Sequence, residues 1–117
     1  MADRTDRLRV EDMRQAVGRA LTYVEGKTEA DLAADTLTLD AVVRNLSVLG
    51  EAAHHVSPPT RALAVEIEWD RIVRSRHIVV HGYFGVDLGI VWRILTVHLP
   101  PLRDDLDRLL ALLDATS

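Results

Sequence analysis

The spacing of apolar residues is the feature of this sequence that most constrains its fold. In four long stretches, 4–26, 38–55, 69–80 and 87–113, apolar side chains recur every three to five positions. This spacing places them on one stripe of an α-helix, whereas a half-buried strand would alternate with a period of two. The pattern therefore predicts four long amphipathic helices.

Shorter signals lie between these stretches. Thr28 and Asp31 have the spacing of a capping box, which predicts a short helical turn over 28–35. The prolines at 58–59 end the second long helix and are placed to open a brief helix over 60–65. Short connections of this kind make sequential helices antiparallel.

The final stretch should begin with Asp87 as its N-cap and bend at Pro100 and Pro101 before it continues to Leu113. The sequence thus predicts an all-α fold: an antiparallel up-and-down four-helix bundle with a short extra helix and a Pro-kinked last helix. An alternative treats the β-branched and aromatic run 78–92 as two short strands, but an isolated hairpin is marginally stable.

Composition narrows the class of protein. The chain has 117 residues, 48% of them hydrophobic and 27% charged, as expected of a single globular domain spanning 1–117. The sequence lacks cysteine, which excludes disulfides and thiolate chemistry and suits a reducing cytoplasm. A net charge of −4 gives no general attraction to DNA, and no apolar run is long enough to span a membrane.

Reactive side chains concentrate in 70–83, where three arginines, two histidines and a tyrosine occur within fourteen residues. Arg74, His77 and His81 are three and four positions apart and share one face of a helix. Arg76 and His81 are five apart and diverge by about 140° on an ideal helix. They converge only where the helix unwinds toward Gly82.

Three interpretations of this cluster compete. The first is a solvated basic helix face, with a histidine near the helix C-terminus. The second is a metal site built on the i, i+4 pair His77 and His81, with a further ligand from Asp70, Asp87, His54 or His55; three flanking arginines oppose it. The third is metal-independent cleavage of an RNA phosphodiester, which needs a group that titrates near neutral pH and a fixed cation for the phosphate.

The string from Arg76 to Tyr83, RHIVVHGY, resembles the signature of HEPN-domain proteins of the HepT type, with an arginine, four residues, a histidine, one residue and a tyrosine. The blocks 44–57 and 69–102 are similar to further parts of the same family, so that the resemblance covers about 7–113. Members are toxins of bacterial and archaeal toxin–antitoxin pairs.

The resemblance implies a homodimeric, metal-independent endoribonuclease without a cofactor. Arg76 would bind the scissile phosphate, and His81 would act as acid or base, with two symmetry-related copies supplying both roles. His77 stands where the family usually has Asn or Asp. We expect His77, Arg74 and Glu51 to be auxiliary, with Glu51 pairing with a motif arginine, and Gly50 to permit close approach of two helices.

The family's antitoxin, an MNT-type nucleotidyltransferase, transfers AMP to the motif tyrosine, which implies Tyr83 as a modification site in a type VII-like toxin–antitoxin pair. Added phosphate close to His81 would block a site that accepts phosphate. The alternative function is a non-catalytic nucleotide- or substrate-binding subunit of a nucleotidyltransferase complex, because phosphate binding uses the same side chains.

Overall fold

The computed structural model describes residues 4–81 and 87–116, with side chains for 4–76 and 87–115. These residues form helices and no strand, which confirms the all-α prediction and makes the hairpin alternative wrong for 78–81 and 88–92. The elements are α1 (Arg4–Tyr23), α2 (Glu29–Ala34), α3 (Thr36–His54), α4 (Pro58–Arg61), α5 (Trp69–His81), α6 (Leu88–Arg93), a π-helical turn (Ile94–His98) and α7 (Leu99–Thr116).

The four long elements pack around one apolar core. Helix α3 contacts both α1 and α5, and α1 contacts α7. Ion pairs join Arg7 to Asp114 and Arg14 to Asp107, so that α1 and α7 run antiparallel. The largest core side chains with almost no exposure are Met13, Leu32, Leu95, Leu99, Leu106, Leu109 and Leu113.

The boundaries of the first helices differ from the prediction in small ways. Helix α1 ends at Tyr23 rather than Gly26, because Gly26 adopts a φ of 73° in the left-handed region that glycine tolerates. Helix α3 begins at Thr36, two residues early, since the Asp35 carboxylate accepts the Thr38 amide at 3.1 Å and acts as the N-cap. The capping box of Thr28 and Asp31 is confirmed.

The brief helix near the two prolines begins two residues earlier in the structure than the sequence predicts. Helix α4 is Pro58–Arg61 and not 60–65, because proline fits the first helical positions, where no amide hydrogen is needed. Its start is fixed by a buried carboxylate on α1: Asp6 accepts the Ser57 amide at 3.3 Å, the Thr60 hydroxyl at 2.6 Å and the Ser57 hydroxyl. These bonds join the start of α1 to the chain just after α3.

The final helix starts as predicted, with the Asp87 carboxylate accepting the Ile90 amide at 3.2 Å. A π-helical turn over Ile94–His98, in which the Leu99 amide donates to the Ile94 carbonyl, ends two residues before Pro100. Proline lacks the amide hydrogen for the helical ladder and clashes with the preceding turn, so a wider turn is the accommodation seen here. The sequence predicts a bend at Pro100 and Pro101. The irregularity that the structure shows is a π-helical turn, and it begins before the prolines, at Ile94.

Candidate active site

Arg76 lies where α5 crosses α3 at close range. The two helices meet at Gly50, where a Cβ atom would be 2.7 Å from the Arg76 Cβ and 3.2 Å from the Ile72 carbonyl oxygen. Only a residue without a side chain permits this separation, which confirms the prediction that Gly50 allows close approach. Arg76 therefore emerges on the side of α5 that faces α3.

The guanidinium of Arg76 is paired with Glu51, the residue that follows Gly50. Its Nη1 donates to Glu51 Oε2 at 2.7 Å, and the Arg76 side chain is 21% exposed. The predicted contact between Glu51 and a motif arginine is thus present. It fixes a cation, reachable from solvent, at the surface between α3 and α5.

One donor atom of Arg76, its Nε, is buried without a partner among the described residues. A buried donor without a partner costs roughly 1–3 kcal/mol. Since Nε makes no bond that would orient the guanidinium, its orientation depends strongly on the contact of Nη1 with Glu51.

Glu51 also contacts a second basic side chain, which the sequence suggested only as a further ligand in the metal interpretation. His55, one turn later on α3, lies with Nε2 3.0 Å from Glu51 Oε1. The hydrogen bond from His55, followed by that from Arg76, lowers the pKa of Glu51. The i, i+4 spacing was the available signal for this contact.

The remaining predicted site residues divide into two groups. Arg74 is exposed on α5, and no ion pair is found for it among the described side chains. His77 and His81 belong to the helical backbone of α5, but their side chains lie outside the described residues, as does all of Tyr83. Their predicted roles stay predictions.

The further ligands named in the metal interpretation serve other contacts. Asp87 caps α6, Asp70 lies 3.8 Å from Arg61, and His55 bonds to Glu51, while the ring of His54 packs edge-on against that of His55. Among the described side chains, no group of three or more metal-ligating residues occurs.

A groove of about 460 Å³ lies between α5 and the segment from α6 to α7, lined on the α5 side by Arg71, Ile72, Arg74 and Ser75 and not by Arg76. Leucines and isoleucines such as Leu46 and Ile94 line it together with Ser75. At its rim, Arg71 lies 3.3 Å from His98 Nε2, and burial together with this cation lowers the pKa of His98. The groove therefore combines apolar walls with charges of both signs, since Glu66, Glu68 and Asp105 line it as well.

Comparisons with protein families and with individual proteins both find similarity to ribonucleases. A family model described as ribonuclease HepT-like matches residues 13–109. A protein of Methanocaldococcus jannaschii named "Gamma-glutamylcyclotransferase and putative RNase" is 32% identical over 92 residues, which cover 79% of this chain and 41% of that protein. A "Probable ribonuclease HepT" of Thermococcus cleftensis is 29% identical over 100 residues, 86% of this chain and 91% of the relative.

The first of these relatives is thus much longer than the matched region, whereas the second is nearly coextensive with it. No solved structure matches the chain. No helix in the described part of the chain has the length and apolar character needed to cross a bilayer.

Proposed function

Because the chain belongs to the ribonuclease HepT-like family, we propose that it is a metal-independent endoribonuclease, the toxin of a toxin–antitoxin pair. The observation that carries the proposal is the position of Arg76. This motif arginine is anchored by Glu51 at the junction of α3 and α5, and its side chain is 21% exposed. The proposal places the reaction in the cytoplasm.

Arg76 would bind the scissile phosphate. A guanidinium stays protonated at all relevant pH values, offers several donors in one plane and matches two phosphate oxygens. Negative charge grows on the phosphoryl oxygens during the reaction. A cation that is already held in place can stabilise this charge without first having to move. The contact with Glu51 supplies that prior orientation.

His81 would transfer the protons. One His81 removes the proton from a ribose 2′-hydroxyl, whose oxygen then forms a bond to phosphorus while the bond to the 5′-oxygen breaks. His81 of the partner subunit donates a proton to that leaving oxygen. The products are a 2′,3′-cyclic phosphate and a 5′-hydroxyl, so that atoms and protons balance without a metal ion.

A homodimer is part of this proposal. The reaction needs both a base and an acid, and each chain supplies one histidine at position 81. A twofold interface presents the same residue from both subunits and so brings two copies of His81 together. The described part of α5 leaves Asp70 and Arg74 exposed. The helical repeat extends this face to positions 77 and 81, which makes it our candidate for the dimer interface.

The antitoxin we propose is an MNT-type nucleotidyltransferase that modifies Tyr83. The tyrosine hydroxyl would attack the α-phosphate of ATP, forming a phosphodiester to AMP and releasing pyrophosphate. The new phosphate would bring negative charge two positions from His81 and repel the RNA backbone.

RNA cleavage by the purified protein in excess EDTA tests the proposed function. We expect Arg76→Ala and His81→Ala each to lower the cleavage rate by about a hundredfold or more, the usual effect of losing an acid–base or charge-stabilising group. Arg19→Ala removes an exposed arginine from α1 and is the matched control. Cleavage that persists in both site variants would contradict the proposal, and bound nucleotide without RNA turnover would favour the binding-subunit alternative.

Co-expression with a neighbouring nucleotidyltransferase tests the antitoxin step. We expect the toxin alone to arrest growth, and mass spectrometry after co-expression to find AMP on Tyr83. Tyr83→Phe should keep the toxicity but escape neutralisation. An unmodified Tyr83 in neutralised cells would exclude AMP transfer to this residue as the mechanism.

A further inference from the structure

We propose that His55 is a positioning residue for Arg76 and that it acts through the carboxylate of Glu51. The inference rests on the proposed function, since it concerns the arginine that would bind the RNA phosphate. In this arrangement Glu51 bridges the two side chains: Oε2 accepts from Arg76 Nη1 at 2.7 Å, and Oε1 lies 3.0 Å from His55 Nε2.

The bridge matters because Glu51 is poorly held without it. Its side chain is 58% exposed and belongs to a residue type with several freely rotating bonds. A single exposed ion pair of such a residue is worth little, because ordering two long side chains offsets most of the attraction. A second contact at the other carboxylate oxygen keeps Oε2 directed toward Arg76.

Arg76 in turn depends on that carboxylate. Its Nε is buried without a partner, and Gly50 fixes its Cβ against α3, so the described residues offer it one ionic contact, Glu51. If the Glu51 side chain rotates away, the guanidinium loses its counter-charge while its Nε stays buried without a partner. Arg76 would then populate other rotamers, and phosphate binding would have to select the productive one.

Two other basic side chains lie near His55, and no contact of either with Glu51 is found among the described residues. His54, its neighbour on α3, contacts the His55 ring edge-on at 5.1 Å between centroids and has no hydrogen bond to Glu51 among the described contacts. Arg61 of α4 donates to the carbonyls of Ala53 and Val56, at the same end of α3. His55 is therefore the described side chain that shares Glu51 with Arg76.

Cleavage rates of single and double variants test this inference. We expect His55→Ala to lower kcat/KM for RNA by about fivefold, a typical coupling between neighbouring residues. His55→Gln should stay within about twofold of the wild type, because its amide can donate to Glu51 from a similar position. Arg19→Ala, which removes an exposed side chain from α1, is the control and should leave cleavage unchanged.

The decisive comparison uses the Glu51→Gln background. If His55 acts through the carboxylate, His55→Ala should cause no further loss once Glu51 is replaced. An equal loss in both backgrounds, or no loss in the single variant, overturns the inference. Thermal melting of every variant, followed by circular dichroism, identifies any loss that comes from unfolding.

A second measurement does not depend on RNA cleavage and so separates this inference from the proposed function. The Nε–H of Arg76 is buried and should give an observable NMR signal with slow hydrogen exchange. We expect His55→Ala to accelerate this exchange by about fivefold or more, and His55→Gln to restore it. Unchanged exchange in folded His55→Ala contradicts the inference, even if the wild-type protein cleaves no RNA.

Discussion

Gly50 and Arg76 meet at a point where the backbones of α3 and α5 leave no room for a methyl group. A Cβ on Gly50 would lie 2.7 Å from the Arg76 Cβ and 3.2 Å from the Ile72 carbonyl oxygen. Neither atom is the free end of a flexible chain, so α5 would have to move. We expect Gly50→Ala to lower the free energy of unfolding by about 1 kcal/mol or more, despite the better helix propensity of alanine.

Gly18 on α1 is the matched control for Gly50. The nearest atom to a Cβ there is Nη1 of Arg14, at 2.9 Å, which is the end of a long side chain and can shift. Because Arg14 can avoid the clash at little cost in free energy, we expect Gly18→Ala to stabilise the protein by about 0.5 kcal/mol through helix propensity. Urea denaturation of both variants checks the opposite signs; equal effects would contradict the packing argument.

The buried carboxylate of Asp6 should be worth more to stability than any surface ion pair. Its side chain is 3% exposed and accepts hydrogen bonds from Ser57 and Thr60. Asp6→Ala leaves these donors without their partner, and we expect a loss of about 2–3 kcal/mol in denaturant unfolding. Asp6→Asn keeps one acceptor oxygen and should lose less. A loss below about 0.5 kcal/mol for the alanine variant would show that water replaces the carboxylate.

The same residue predicts a dependence of stability on pH. Burial tends to raise the pKa of Asp6, but the hydrogen bonds from Ser57 and Thr60 outweigh burial and lower it. A carboxyl whose pKa is depressed in the folded state adds stability above its unfolded pKa of about 4, and that stability is lost as the pH falls through the folded value. The difference in unfolding free energy between wild type and Asp6→Asn should be constant from pH 5 to 7 and shrink below about pH 4. If this free-energy difference instead grew as the pH fell, folding would raise the pKa of Asp6 and not lower it.

Trp69 joins the start of α5 to the loop before it. Its indole Nε1 donates to the Ala64 carbonyl at 3.0 Å, and Arg61 lies 5.6 Å from the ring centroid. Trp69→Phe removes this donor but leaves the Ala64 carbonyl its second hydrogen bond, from the Ile67 amide at 3.1 Å, so we expect a loss of about 1 kcal/mol by thermal or urea unfolding. Trp92 is half-buried, and no indole hydrogen bond is found for it among the described residues. Trp92→Phe should therefore cost clearly less, and equal losses would count against the hydrogen bond.

Arg74 should assist RNA binding without taking part in the chemistry. It is exposed on the same helix as Arg76 and has no described ion-pair partner. If it contacts one phosphate, Arg74→Ala should weaken RNA binding several-fold and reduce the slope of log affinity against log salt by about 0.7. Arg19→Ala, which also removes an exposed arginine, is the control. An unchanged salt slope would exclude a phosphate contact.

The helices and their local caps were predictable because the information is contained within a few residues. Apolar spacing located all four long elements, and the cap at Asp87 and the capping box at Thr28 each involve a side chain and a backbone amide three residues apart. Such contacts can therefore be recognised from a few neighbouring residues of the sequence.

Contacts between distant segments were harder to predict. Asp6 bonds to residues 51 and 54 positions away, and a lone aspartate in a charged first turn carries no sign of that burial. The pairing of Glu51 with Arg76 could be proposed because a motif already marked the arginine. The i, i+4 spacing permits the bridge to His55 but does not single it out, because a histidine one turn from a glutamate is usually a solvated surface pair.

The π-helical turn over Ile94–His98 has a consequence for the family's sequence variation. A wide turn accommodates one more residue than an α-helical turn of the same length. Loss of a single residue here could restore regular winding while the chain on either side kept its place in the core. We therefore expect the segment just before Pro100 to tolerate one-residue deletions that would be disruptive in the middle of α3.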